Sequence, residues 1–193
     1  GGTFDPIHIG HLACAEQVRV AFDLDSVLFI PTGSPAFKQD KQVTDAQKRL
    51  RMCQLACLDN PHFDVSSLEI DRGGVTYTID TLRALRAHYT DNVQLLFITG
   101  ADAILSIAQW RDFDELVRIA QLIAVTRPGY ALTEQKKAQL AALQGLDVSY
   151  FEMTALSVSS SMLRDQVVQE KSIRYLTPDS VWSYIDENKL YRS

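Results

Sequence analysis

The chain begins Gly1-Gly2-Thr3-Phe4-Asp5-Pro6-Ile7-His8-Ile9-Gly10-His11, a glycine turn that runs into two histidines three residues apart at the start of a predicted helix. Adjacent glycines let backbone N–H groups approach a bulky anion, Asp5-Pro6 punctuates the turn, and Gly10 leaves room at a crowded helix entrance. A helix start carries orphan N–H donors and the positive end of a macrodipole, so an anion bound there is favoured. With two imidazoles facing that anion, the stretch reads as phosphate-handling chemistry in an α/β fold. A turn of this kind needs a strand leading into it, so a first, central strand is expected to precede Gly1.

Outward from the turn, helical and strand patterns alternate, the signature of a parallel sheet covered by helices. The pattern predicts a helix over 11–22, a strand over 26–30, and a loop over 32–43. Thr44-x-x-Gln47 reads as a capping box for a helix to about 58. An extended stretch follows over 63–70, then a turn at Arg72-Gly73-Gly74 and a helix capped by Thr76 or Thr78 and ending near 88. The run over 94–99 is nearly continuously apolar, as a central strand buried on both faces should be. Short helices are expected around Trp110, strands over 122–126 and 148–152, and helices over 133–143 and from the Ser157–Ser161 cluster to about 168. Thr177-Pro178 supplies an N-cap and an N1 proline for a last helix.

The 193 residues, 46% hydrophobic and 22% charged, suit a single domain over 1–193 with a substantial core. A net charge of −5 argues against a nucleic-acid surface or an anionic membrane, so anion binding must be local. No signal peptide and no apolar run long enough to span a bilayer is present, which points to a cytoplasmic protein. Cys14, Cys53 and Cys57 are odd in number and lack C-x-x-C spacing, as reduced thiols would; Cys53 and Cys57 share a helical face with Leu50 and are expected to pack. Lys41, Lys48, Arg49 and Arg51 lie on or near one helix and read as a solvated face. His62 and His88 stand alone and read as surface residues.

Neither G-x-x-x-x-G-K-[ST] nor G-x-G-x-x-G after a strand occurs, which removes the usual loops of kinases and hydride-transfer cofactors. The H-x-G-H element has a second half far downstream. Ser159, Ser160 and Ser161 offer three hydroxyls at a predicted helix start, with Arg164 one turn on, a second phosphate cradle. Together the two elements resemble the H-x-G-H and I-S-S-T-x-I-R motifs of the nucleotidyltransferase superfamily that transfers adenylyl or cytidylyl groups. Further stretches are similar to one branch, the bacterial nicotinate-mononucleotide adenylyltransferases. They are Ile30-Pro31-Thr32-Gly33-Ser34-Pro35 with Lys38, Thr76 to Leu82, Gly100-Ala101-Asp102, Trp110, Arg127-Pro128-Gly129-Tyr130 and Ser172-Ile173-Arg174-Tyr175-Leu176. In this order and spacing the resemblance covers the whole chain.

The resemblance implies a Rossmann-like, doubly wound parallel sheet with helices on both faces. It also implies the reaction of ATP with nicotinate mononucleotide to give nicotinate adenine dinucleotide and pyrophosphate. Catalysis would fall to His8, His11 and Arg164, and ATP would contact Gly2, Phe4, Gly100, Asp102, Ser160 and Ser161 besides. Asp102 would hold the adenosine ribose. The mononucleotide would meet Thr3 and Lys38 at its phosphate, Trp110 at its pyridine ring, and the backbone N–H groups of Tyr77 and Thr78 at its carboxylate, with Arg127 nearby. Mg²⁺ would ride on the ATP phosphates and water rather than on protein side chains.

Blander readings stand beside these. His8 and His11 could ligate a metal with Asp5, Trp110 could be a core aromatic, Asp102 a helix N-cap, Arg127 an ion-pair partner. The acceptor could be nicotinamide mononucleotide or phosphopantetheine, or the chain could be a non-catalytic nucleotide-binding module. Four departures from the family pattern are visible: Ile9 between the histidines, Ala36-Phe37 before Lys38, Val75-Thr76 in place of Pro-Ser, and Ser161 in place of threonine.

Overall fold

A computed structural model describes residues 1–35, 43–127, 129, 132–154 and 156–192. By its internal contacts the chain gathers into two units, Gly1–Thr76 with Leu156–Ser193, and Tyr77–Ala155. Lys38 and the Ala36-Phe37 pair lie outside the described residues.

The first unit opens with α1 (Ile9–Ala21), then β1 (Val27–Phe29), β2 (Ser34–Pro35), α2 (Ala46–Cys57), β3 (Phe63–Val65), α3 (Leu68–Arg72) and β4 (Val75–Thr76). β1 runs parallel to β3 with Val27 opposite Phe63, and β2 runs parallel to β4 with Ser34 opposite Val75. A parallel pair needs a crossover, and α2 supplies the one between β1 and β3. The second unit holds α4 (Thr78–His88), β5 (Leu96–Gly100), α5 (Ala101–Ile104), α6 (Phe113–Ile119), β6 (Gln121–Thr126), α7 (Glu134–Ala141) and β7 (Val148–Glu152). These strands form a parallel sheet in the order β5-β6-β7. The chain returns to the first unit for α8 (Ser160–Val168) and α9 (Asp179–Glu187).

Each unit has its own apolar interior. In the first, Ile7, Val18, Met52, Cys53, Leu163 and Val181 are fully buried, and the Ser180 hydroxyl of α9 donates to the Leu55 carbonyl of α2 at 3.1 Å. In the second, Ile79 and Leu82 of α4, Ile104, Ile107, Leu116 of α6, Leu122 and Ala124 of β6 and Leu140 of α7 form one cluster. Arg83 of α4 adds a polar tie, donating to Glu115 at 2.8 Å and to Asp112 at 2.8 Å across to α6. Cys53 and Cys57 pack as expected, and burial pushes the Cys57 thiol up to about 12. The structure contains no disulfide among the described residues, and no helix there is long and apolar enough to cross a membrane.

Several local expectations need correction. The cap of α2 is Asp45, whose Oδ1 accepts from the N–H groups of Gln47 and Lys48 at 3.0 and 3.2 Å, while Thr44 is drawn off to another partner. The stretch predicted extended to residue 70 stops at Val65. The Ser66 hydroxyl accepts the Leu68 N–H at 3.2 Å, and α3 follows until Gly73 takes φ 67°. Tyr77, not either threonine, caps α4, and Pro178 stands where Thr177 was expected before α9. In the three-stranded sheet the strand buried along its length is β6, with β5 only half-buried, because β6 alone has a described neighbour on each side.

Candidate active site

Gly2 donates to the Ile30 carbonyl at 3.2 Å and accepts from the Thr32 N–H at 2.8 Å, so the turn starts against the end of β1. A Cβ on Gly2 would sit 3.0 Å from the ring of Phe4, which itself takes φ 49°. Any side chain there would have to push the Phe4 ring aside, so glycine lets the ring lie close over the turn. Past the turn, His8 is the N-cap of α1 and is buried. Its ring stacks on His11 with centroids 3.7 Å apart and planes 22° from parallel, while Phe4 meets His11 edge-on at 5.0 Å. The His8 N–H donates to Nδ1 of His11 at 3.2 Å. An accepting Nδ1 carries no proton, so the ring proton lies on Nε2, where it is a donor for whatever the ring faces. A Cβ on Gly10 would lie 3.0 Å from His8 Nδ1, so the absence of a side chain there lets the imidazole lie against the helix start.

The start of α8 is hydrogen-bonded to the same turn. The Ser159 hydroxyl caps the helix by accepting the Met162 N–H at 3.2 Å. Ser160 donates its hydroxyl to the Pro6 carbonyl at 2.9 Å, Arg164 donates Nη1 to the Asp5 carbonyl at 2.6 Å, and its Nη2 donates to the Ser161 hydroxyl at 3.3 Å. The sequence motif therefore joins helix to turn as well as offering donors. The N-terminal turn of α8 adds orphan backbone N–H groups beside those of α1.

Beneath the turn lies a residue assigned to the wrong environment by its charge. Arg49, read as part of a solvated face, is 1% exposed. It donates Nε to Thr44, Nη1 to Thr3 and Nη2 to Gly33, all to backbone carbonyls, at 2.9, 2.8 and 3.0 Å. Position 49 is in register with Met52 and Cys53, both fully buried, and that spacing was the available signal. Burial lowers the guanidinium's pKa and the nearby Asp5 opposes the shift. Gly33 cannot be anything larger without movement, since a Cβ would meet the Glu69 carbonyl oxygen at 2.6 Å. Asp5 is also buried; its Oδ1 accepts from the Tyr191 hydroxyl at 2.7 Å and its Oδ2 from the Thr44 N–H at 3.2 Å. With its carboxylate so engaged, Asp5 does not stand as a third ligand beside the histidines, and no cluster of three metal-binding side chains occurs among the described residues.

The second unit carries the other candidates. Gly100 ends β5 as the N-cap of α5, and a Cβ there would meet nothing within 4 Å. Asp102 is therefore not the cap; it is exposed in the first turn and makes no hydrogen bond or ion pair among the described residues. Trp110 is half-buried, with its edge against Phe97 at 6.0 Å and its Nε1 donating to Ser106 at 3.4 Å. The Tyr77 carbonyl accepts from Asp80 and Thr81 as α4 begins, and the Arg111 guanidinium lies 4.8 Å over the Tyr77 ring, a contact that sequence reading did not anticipate. Arg127 is exposed just past β6 and has no ion pair among the described residues. His62 and His88 are exposed as expected.

A parallel α/β chain whose two helix starts share one histidine turn is a nucleotide-phosphate-binding design, and the chain belongs to the cytidylyltransferase-like family, which matches residues 1–166. Within it, relatives match from end to end. A Frankia alni protein named "Probable nicotinate-nucleotide adenylyltransferase" is 50% identical over 193 residues, covering 100% of this chain and 98% of its own length. A Moorella thermoacetica protein of the same name is 48% identical over 194 residues, covering 100% of this chain and 89% of its own. Among solved structures, Plasmodium falciparum nicotinic acid mononucleotide adenylyltransferase complexed with NaAD shares the fold at a TM-score of 0.77 and 20% identity, over 98% of this chain and 94% of its own.

Proposed function

We propose that this protein, working over its whole length as one nucleotidyltransferase domain, transfers the adenylyl group of ATP to nicotinate mononucleotide, forming nicotinate adenine dinucleotide and releasing pyrophosphate. The observation that carries the reading is the joint between the two phosphate elements, with Arg164 on the Asp5 carbonyl and Ser160 on the Pro6 carbonyl. It makes one grip from motifs more than 150 positions apart. The end-to-end relatives of the same name support the choice of acceptor.

The reaction needs little proton chemistry. A phosphate monoester has its second pKa near 6, roughly, so the acceptor oxygen is already ionised at neutral pH and no general base is required. That oxygen attacks the α-phosphorus of ATP in line, the bond to the bridging oxygen breaks, and the electron pair leaves on pyrophosphate. The work is orientation and stabilisation of charge on the phosphoryl oxygens. His8 and His11 would serve this at the N-terminus of α1, with His11 presenting its Nε2–H, and Arg164, Ser161 and the backbone start of α8 would hold the β and γ groups. Gly2 and Phe4 would line the ATP side of the turn. Mg²⁺ would arrive on the polyphosphate with its waters and neutralise charge there.

In the second unit, Asp102 would accept the ribose hydroxyls beside the small Gly100, Trp110 would stack on the pyridine ring, and the start of α4 at Tyr77 and Thr78 would bind the carboxylate. A nicotinamide N–H₂ at such donors would face donors, so the acid is preferred. Arg127 in the second unit, and Thr3 and Lys38 in the first, are the further residues proposed as mononucleotide ligands. A cytoplasmic setting keeps the thiols reduced.

The test is pyrophosphate release with ATP and Mg²⁺ and each of nicotinate mononucleotide, nicotinamide mononucleotide and phosphopantetheine. Strong preference for the nicotinate nucleotide is expected. Preference for another acceptor overturns the carboxylate site while keeping the phosphate chemistry, and ATP binding without turnover on any acceptor favours a non-catalytic module.

A further inference from the structure

Tyr191 lies 186 positions from Asp5 in sequence, yet its hydroxyl donates to Asp5 Oδ1 at 2.7 Å. The segment that brings it there follows α9 directly and is fixed along its length. Leu190 is buried and its N–H donates to the Ile185 carbonyl at 3.0 Å, Arg192 pairs with Asp186, and both Lys189 and Tyr191 take left-handed backbone, at φ 49° and 65°. A bulky tyrosine adopts that conformation only where its surroundings impose it, and such outliers gather where a side chain must be held in place. Burial and the adjacent Asp5 carboxylate raise the phenol's pKa well above its ordinary value, so the hydroxyl remains a donor.

Asp5 is the hinge of the phosphate turn. Its carboxylate faces Tyr191 and Thr44, and its own carbonyl is the group that Arg164 grips at 2.6 Å. The next carbonyl, on Pro6, holds Ser160. The same residue thus anchors its side chain on Tyr191 and Thr44 and offers its carbonyl to Arg164, so freeing one carboxylate oxygen loosens the residue on which Arg164 is aligned. The Tyr191 oxygen also lies 3.9 Å from Met52 Sδ, and a phenylalanine keeps the ring's packing while removing only that oxygen.

We propose that Tyr191 is a positioning residue for the transfer reaction, acting through Asp5 to set the turn against which Arg164 and Ser160 are aligned. This rests on the adenylyl-transfer reading. It is tested by steady-state kinetics of Tyr191→Phe, Asp5→Asn and the double variant in the full chain, beside wild type. Y191F lowers kcat roughly tenfold, the worth of one hydrogen bond to a charged acceptor, with the KM for ATP changed less than about twofold. D5N, whose amide keeps only one acceptor oxygen, shows a comparable loss, and Y191F costs clearly less in the D5N background than alone, the mark of residues in one chain of action. If D5N does not fold, Arg164→Lys takes its place in the cycle, with the same absence of additivity expected. Active wild type with unchanged kcat in Y191F, or losses that multiply independently, overturns the positioning role and leaves the reaction standing. Wild type that releases no pyrophosphate overturns the reaction and this role with it.

Discussion

The side chains around the histidine turn are already bound to protein, whereas the candidate ligand groups of the second unit are mostly not. Arg164, Ser160, Asp5, Arg49 and His11 each have a named protein partner. Asp102 and Arg127 have none among the described residues, and Trp110, half-buried against the core cluster, has an edge contact with Phe97 and one hydrogen bond from its Nε1. The difference matches what the proposed function would ask of each region. Charge that develops on phosphoryl oxygens is best met by donors fixed before the reaction, since reorganising them in the transition state costs free energy. A ribose or a pyridine ring changes little during the step, and groups that bind it need only be free to receive it. Substitutions near the turn should therefore cost stability and rate together, and substitutions in the second unit should appear mainly in KM.

The largest expected effect comes from Arg49→Met. Three backbone carbonyls, of Thr3, Gly33 and Thr44, lose their donor inside the protein. Each buried carbonyl left without a donor costs about 1–3 kcal/mol, so the three together lower stability by several kcal/mol and Tm by roughly 10 °C, read by calorimetry. An unchanged Tm would mean the turn does not depend on the buried guanidinium. Next is His11→Ala, which removes one preformed donor and should lower kcat about 10²- to 10³-fold with a much smaller loss of ATP affinity. Unchanged kcat would dismiss His11 from the phosphate grip.

These two residues also mark what a sequence can and cannot convey. The place of His11 at the turn was legible because it lies in a contiguous motif whose glycines and helix start all point one way. Most of the order of strands and helices was legible for the same reason, being written in local periodicity, while the short β2, α3 and β4 were not. Arg49 was not, because a cation on a helix reads as solvated until the carbonyls of distant segments are seen to converge on it. Tyr191 was hidden by separation, with no local feature to tie a terminal tyrosine to the opening turn. The caps of α2 and α4 were misplaced by one position, since Asp45 and Thr44, or Tyr77 and its threonine neighbours, are chemically near-equivalent choices that tertiary partners decide. Lys38 falls outside the described residues, and its part in binding stays a proposal.

The contrast between the units sharpens at Trp110. Trp110→Ala should raise the KM for the mononucleotide about tenfold, as expected for a lost stacking platform, with kcat nearly unchanged because the ring is stacked before and during the step. Its edge contact with Phe97 and its place against the core cluster add a modest loss of Tm. A fall in Tm with no change in KM would make Trp110 a packing residue and place it with the first unit's tied-down groups.

The smallest and most discriminating effect is that of Asp102→Asn. The carboxylate is exposed and makes no hydrogen bond or ion pair among the described residues, so the folded protein alone loses almost nothing. If it accepts both ribose hydroxyls of ATP, the amide, with one acceptor oxygen and no charge, weakens one of the two bonds by about 1 kcal/mol and raises the KM for ATP roughly fivefold. Tm and kcat should stay within error, measured on the same preparation. A drop in kcat of the size seen in His11→Ala would instead mean that Asp102 acts on the reacting phosphate. The division between a region fixed in advance and one completed by its ligand would then fail at the residue that best represents it.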